Sequence, residues 1–263
     1  VSMTKGTVGT VTGNVGAGTN GSLLAVNVGV TDGASSTSFT GTVAATTVTV
    51  TADDAVDGAV FKGDVTATTL AISGANGGTV TFDPDKVLTG DIITSHNGKG
   101  ILVFGTATDT RTLVTGNIGV STSYDLYSIA AVTSSSKVVT LATGDIFALT
   151  ISATGTGTIA LGGSFTGTSI TTDTGNTLSL AVDEVVTGAV LTGSDGAGTV
   201  TFGSTATSKT IMTGAIGSAG GGDLLAANFS PATGITATLD GALSAITTTQ
   251  SGLGTLNVTG IIT

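Results

Sequence analysis

Chemistry in a protein needs carboxylates, imidazoles, thiols or cations held close together. This chain offers few: one His, one Glu, no Cys and seven Lys plus Arg among 263 residues. The carboxylates gather in turn-like stretches. Asp53, Asp54 and Asp57 share one, Asp83 and Asp85 a second, and Asp183 with Glu184 a third. Calcium takes about six to eight oxygen ligands and is often held by such turns. The first and third clusters also stand at matching places, ahead of Gly58-Ala59-Val60 and Gly188-Ala189-Val190. Asp53, Asp54, Asp57, Asp183 and Glu184 are therefore the candidate ligands for a calcium ion. The repeated glycine-aspartate nonapeptide of calcium-bound rolls is missing, and Gly220-Gly-Gly-Asp223 is an isolated likeness of it.

Other motifs carry less. His96 lies in Thr94-Ser95-His96-Asn97-Gly98, a turn without an evident acid partner, so the reading is a solvated loop residue rather than part of a triad. Gly16-Ala-Gly18-Thr-Asn-Gly21 has the spacing of a phosphate-cradling loop, but Leu23 onward is strand-like, and the motif needs an opening helix. Asn20, Asn228 and Asn257 head glycosylation-type triplets, a number that a Thr- and Ser-rich chain produces by chance. Tyr124 and Tyr127 are the only tyrosines, too few for an aromatic-lined sugar cleft with a catalytic carboxylate pair. No catalytic residue is expected.

The elements that must position these groups follow from composition. The helix formers Glu, Lys, Arg and Met are scarce, whereas Gly reaches 42 residues beside abundant Thr, Val, Ala and Ser. That mixture suits pleated strands broken by tight turns, so the fold class is all-β. With 40% apolar residues the chain has enough to bury and is not disordered. The most apolar run, Leu23 to Val30, is interrupted by Asn27 and Gly29, far short of the ~20 residues of a membrane helix. A net charge of -10 and a pI near 4.1 exclude nucleic acid as a partner. The absence of Cys fits a secreted microbial protein and rules out a small disulfide scaffold. Export would imply a leader that lies outside this sequence.

Internal repetition is plain. Gly100-Ile-Leu-Val-Phe104-Gly105, continuing to Thr115-Gly-Asn-Ile-Gly119, matches Gly198-Thr-Val-Thr-Phe202-Gly203, continuing to Thr213-Gly-Ala-Ile-Gly217, at an offset of 98. A third copy opens at Thr12-Gly-Asn-Val-Gly16, and Leu23, Leu126 and Leu224 follow at the same distance from each. The large units run over 6–99, 100–197 and 198–263. Within them a shorter beat of strand and turn, with alternating Val, Ile, Leu or Phe against Thr or Ser, predicts one right-handed parallel β-solenoid of about a dozen irregular rungs. A rung of roughly 20 residues gives a rod about 60 Å long. Tandem β-sandwich domains are the alternative, disfavoured by small apolar residues and glycine at nearly every corner. Rows of Thr such as Thr47-Val-Thr49-Val-Thr51 are not expected to recur from rung to rung.

The repeated Gly-Thr-Val-Thr-Phe, then Thr-Gly-x-Ile-Gly, then Leu-Leu-Ala, resembles the passenger of rickettsial outer membrane protein B and related alphaproteobacterial autotransporter surface antigens. The likeness is one of repeat style over most of the chain, and the family's C-terminal barrel is not recognisable here. The resemblance implies an exported β-helix that forms a surface coat or layer with adhesive roles. Together these readings give a non-catalytic extracellular structural protein whose partners are copies of itself. An adhesin for a cell-surface glycan or protein is the second reading, and a polysaccharide-acting enzyme on a β-helix the third.

Overall fold

The computed structural model describes residues 2–3, 8–16, 22–30, 36–121, 123, 125–218 and 222–263. Short alternating segments set the local structure. In Thr79–Phe82, Thr158–Leu161 and Thr177–Leu180 the second and fourth side chains are buried and the first and third face outward. β-branched and aromatic residues suit such a half-buried pleat. Among the described residues there are twenty-four strands and no helix, and the strands alternate between two twelve-stranded sheets. Neighbouring strands are parallel throughout, and the course is that of a right-handed β-solenoid. Tandem sandwiches would need antiparallel sheets, so that alternative fails.

Each turn of the chain has three sides, and one inward column runs down each side. On the first side Val15, Val43, Val65, Leu88, Val114 and Ala142 lie in register. On the second, the column runs from Val26 through Val48, Leu70, Ile92, Ile118, Ile146, Phe165, Val186, Met212 and Leu239 to Val258. The third runs from Gly9 through Thr37, Ala59, Val80, Leu102, Ile129, Ile151, Ile170, Val190, Ile216 and Leu243 to Ile262. Two sheets cover three sides because long strands such as Val43–Ala52 turn a corner. Along the second column, successive members are 19 to 28 residues apart, so insertions are absorbed at the corners.

Aromatic rings reinforce the third side. Phe39, Phe61, Phe82 and Phe104 stack in succession, with centroids 5.2, 5.4 and 5.2 Å apart. Phe202 and Phe229 form a second stack at 5.1 Å, on the strands that continue the first side. All of these rings are buried, and fully burying one side chain of this size contributes about 1.5–3 kcal/mol. Because each rung touches only its neighbours, stability accumulates rung by rung.

The 98-residue repeat is not a whole number of turns. Ile118 belongs to the second column and its equivalent Ile216 to the third. Four turns on from Ile118, through Ile146, Phe165 and Val186, the chain reaches Met212, and one further side brings it to Ile216. The same count, four turns and one side, leads from Val15 on the first side to Ile118. The three sides are thus interchangeable positions for one motif. The stack is continuous across the repeat boundaries: Ile101–Phe104 pairs with Thr79–Phe82 on one edge and Leu126–Thr133 on the other.

Candidate functional site

The residues that repeat most closely, Thr-Gly-x-Ile, build the corners. Ile118 and Ile146 enter the second column, and the residue before each reaches across to the next rung. Asp91 Oδ1 accepts from the Asn117 amide at 2.7 Å, Asn117 Oδ1 from the Asp145 amide at 2.9 Å, and Asp145 Oδ1 from the Ser164 amide at 3.0 Å. This ladder supplies acceptors for amides that the turn leaves unpaired. Glycine precedes it because the rungs approach closely: a Cβ on Gly116 would meet the Gly90 carbonyl oxygen, and one on Gly144 would collide with Asn117 Oδ1.

A second device recurs at the 98-residue offset. Asp85 and Asp183 both have positive φ, 63° and 61°, a conformation that Asp tolerates better than most residues. Asp85 Oδ1 accepts from the Thr108 amide at 2.7 Å, and Asp183 Oδ1 from the Ala206 amide at 2.8 Å. A cation then closes each clasp. Arg111 donates to the Asp85 carbonyl and places Nε 3.3 Å from its carboxylate; Lys209 donates to the Asp183 carbonyl and lies 3.8 Å from Oδ1. The Thr108 hydroxyl, together with its amide and the Arg111 charge, holds the Asp85 carboxyl below its ordinary pKa despite some desolvation. Sequence reading missed these clasps, although the offset linking Asp85 to Asp183 and Arg111 to Lys209 was available. It also missed the phenylalanine stack, whose members recur at intervals of 21 or 22 residues.

The candidate calcium ligands are not brought together. Asp53 and Asp54 are exposed in the turn between the second and third sides, with Asp57 buried at its end. Asp183 and Glu184 lie at a different corner, six turns further along the second column. Asp183 is held by Lys209, and Glu184 Oε2 accepts from the Ser164 hydroxyl at 2.7 Å. Among the described residues no group of three or more His, Asp or Glu is placed to hold a metal ion. His96 sits on an exposed turn with Nδ1 2.9 Å from the hydroxyl of its chain neighbour Ser95. Asn20, Tyr124, Gly220 and most of Gly16 to Gly21 lie outside the described residues. No helix among the described residues is long and apolar enough to cross a membrane.

What the solenoid displays outward is a set of flat sides. On the third side two rows alternate with the inward column over eight rungs, with Gly58 and Ser38 buried and the other positions at least partly exposed. One row is Ser36, Gly58, Thr79, Ile101, Ser128, Thr150, Ser169 and Ala189; the other is Ser38, Val60, Thr81, Val103, Ala130, Ser152, Thr171 and Leu191. Neither row contains a charged or aromatic residue. The charged groups cluster at corners and strand ends instead, as with Asp64, Asp145, Asp173 and Asp195. Thr rows do not recur on the second side, where Thr47, Thr49 and Thr51 face Thr69, Ala71 and Ser73. A shallow notch of about 280 Å³ opens where the corner between the second and third sides meets the third side, lined by Ala55, Asn76, Lys99, Ile101, Tyr127 and the bare backbone of Gly78, Gly98 and Gly100.

The chain matches no protein-family model, no curated protein and no solved structure.

Proposed function

We propose that this protein is a non-catalytic, extracellular structural subunit that assembles with copies of itself into a surface layer or filament. The observation that carries the reading is the continuity of the stack. The third column runs from Gly9 to Ile262 without a break, and the polar side chains along the corners serve to join one rung to the next. Such a rod is a mechanical element, held by backbone pairing along its axis and a narrow aliphatic and aromatic interior. The repeat resemblance to exported autotransporter passengers supports the extracellular setting. Electron microscopy of the purified protein, with and without calcium, tests the reading: ordered polymers are expected, and monodisperse short rods in both conditions would overturn it.

The notch beside Tyr127 favours a second reading, an adhesin for a cell-surface glycan. Tyr127 is 55% exposed at its rim, and Asn76, whose amide donates to the Asp53 carbonyl at 2.8 Å, and Lys99 line the notch with it. Saturable glycan binding that is lost in Tyr127→Ala would support it, and equal binding by the variant would remove it.

A further inference from the structure

We infer that a slot on the second side, centred on Gly119, takes up a lysine side chain presented by a partner polypeptide. The slot has a volume of about 270 Å³, and its floor is bare because Gly119 has no side chain where its neighbours Ile93 and Phe147 do. The Gly119 amide donates to the Ile92 carbonyl at 2.8 Å and the Phe147 amide to the Ile118 carbonyl at 2.7 Å, so the three residues follow one another on consecutive rungs. Two rungs put the walls about 10 Å apart at the backbone, a width that one alkyl chain fills at contact distances of about 4 Å on each side. Val120, 56% exposed, extends the apolar lining, and Asp91, Asn117 and Asp145 supply the polar part.

Charge decides the occupant. Asp91 Oδ1 accepts from the Asn117 amide and Asp145 Oδ1 from the Ser164 amide, but asparagine does the same work elsewhere: Asn14 Oδ1 accepts from the Thr42 amide at 3.0 Å and Asn117 Oδ1 from the Asp145 amide at 2.9 Å. The ladder therefore needs an acceptor oxygen and not a charge. Among the described residues neither Asp91 nor Asp145 has a cation at ion-pair distance, unlike Asp85 and Asp183. The repeat supplies an internal comparison. Gly217 keeps the positive φ of Gly119, 69° against 77°, yet Ala189, Ala215 and Ala242 stand where Asp91, Asn117 and Asp145 do, and Ser244 takes the place of Phe147. The glycine serves the corner, whereas the two acids and the ring are additions of this copy.

An apolar slot beside two unneutralised carboxylates fits an aliphatic stem with a cationic head. Because Oδ1 of each acid is already held by a backbone amide, a planar guanidinium finds neither carboxylate with both oxygens open, while an ammonium needs only one. A free diamine would leave its second ammonium among Ile93, Val120 and Phe147. The net charge of -10 favours the approach of a cationic partner.

Amide shifts of the isotope-labelled chain during titration with the capped tripeptide acetyl-Gly-Lys-Gly-amide test this. Saturating shifts centred on Gly119, Val120 and Phe147 are expected, with none from the same peptide carrying Gln in place of Lys. Asp91→Asn with Asp145→Asn keeps both acceptor oxygens and removes both charges, and should raise the dissociation constant roughly fivefold or more with little change in melting temperature. Phe147→Ala keeps the charges and removes a wall, and should raise it roughly threefold or more. An unchanged constant in Phe147→Ala, or equal shifts at acidic corners such as Asp173 and Asp195, would reduce the attraction to surface charge and overturn the slot. Equal binding of n-butanol would remove the carboxylates from recognition, tighter binding of a free butane diamine would assign the slot to a polyamine, and no saturable shift would remove the site; each contradicts the inference.

Discussion

Removing one ring from the phenylalanine stack tests the account in a quantitative way. Phe82 is fully buried, with Phe61 at 5.4 Å on one side and Phe104 at 5.2 Å on the other, whereas Phe39 at the end of the stack has one ring partner. Phe82→Ala forfeits the burial of a large side chain and leaves a cavity, together about 3–5 kcal/mol. It also breaks two ring contacts worth about 0.5–1.5 kcal/mol each, one more than Phe39→Ala breaks. Phe82→Ala should therefore be the more destabilising by about 1 kcal/mol, and Phe82→Leu, which keeps most of the volume, should cost about 1–2 kcal/mol. Native-state hydrogen exchange is the assay, since it reports stability segment by segment. Protection should fall at Gly58–Phe61 and Ile101–Phe104 and stay unchanged at Thr236–Asp240, many rungs away. Equal losses at near and distant strands, or a cost below about 1 kcal/mol, would refute the reasoning from stacked, neighbour-only rungs.

Further outcomes follow from the corners. Asn117→Ala removes the acceptor of the Asp145 amide and should cost about 1 kcal/mol, read from exchange of the amides around Asp145. Gly144→Val drives a side chain into Asn117 and the Gly116 backbone, and should destabilise that corner by about 2 kcal/mol or more in the same measurement. The Asp85 clasp should be pH-dependent with a defined sign. Its carboxyl is held below the ordinary value in the folded state, so its contribution is complete above the unfolded pKa of about 4 and is lost as pH falls through the folded one. The melting temperature of Asp85→Asn should therefore lie below that of the unmodified chain at pH 7 and converge with it as the pH falls below the ordinary carboxylate range and through the lowered folded value. A gap that is constant across that range would contradict the assignment.

Much of the architecture was legible in the chain. Scarce helix formers, glycine at corners and the Val-x-Phe alternation led to a solenoid of about a dozen rungs, because strand period and turn chemistry are local properties. The meaning of the 98-residue repeat was not legible. Nothing in Thr115-Gly-Asn-Ile and Thr213-Gly-Ala-Ile says that they occupy different sides, since the number of residues per side varies with each insertion and only the register reveals the count. The acidic clusters show the same limit. Asp183 and Glu184 are adjacent in sequence, yet their partners come from other rungs, Lys209 for one and Ser164 for the other. Cluster spacing along the chain is a poor guide where the neighbours that matter are about twenty residues away.

The register itself can be measured in this cysteine-free chain by oxidising paired cysteines. Thr49 faces Ala71, Thr177 faces Thr199 and Thr238 faces Asn257 on adjacent rungs. At a rung spacing of about 4.8 Å each pair lies within disulfide reach, whereas two rungs, near 10 Å, exceed it. All three double variants should close intramolecular disulfides readily, and Thr177→Cys with Ala226→Cys, two rungs apart, should not. Failure of the adjacent pairs to close, or equal closure of the distant one, would show that these segments do not lie over one another as layers.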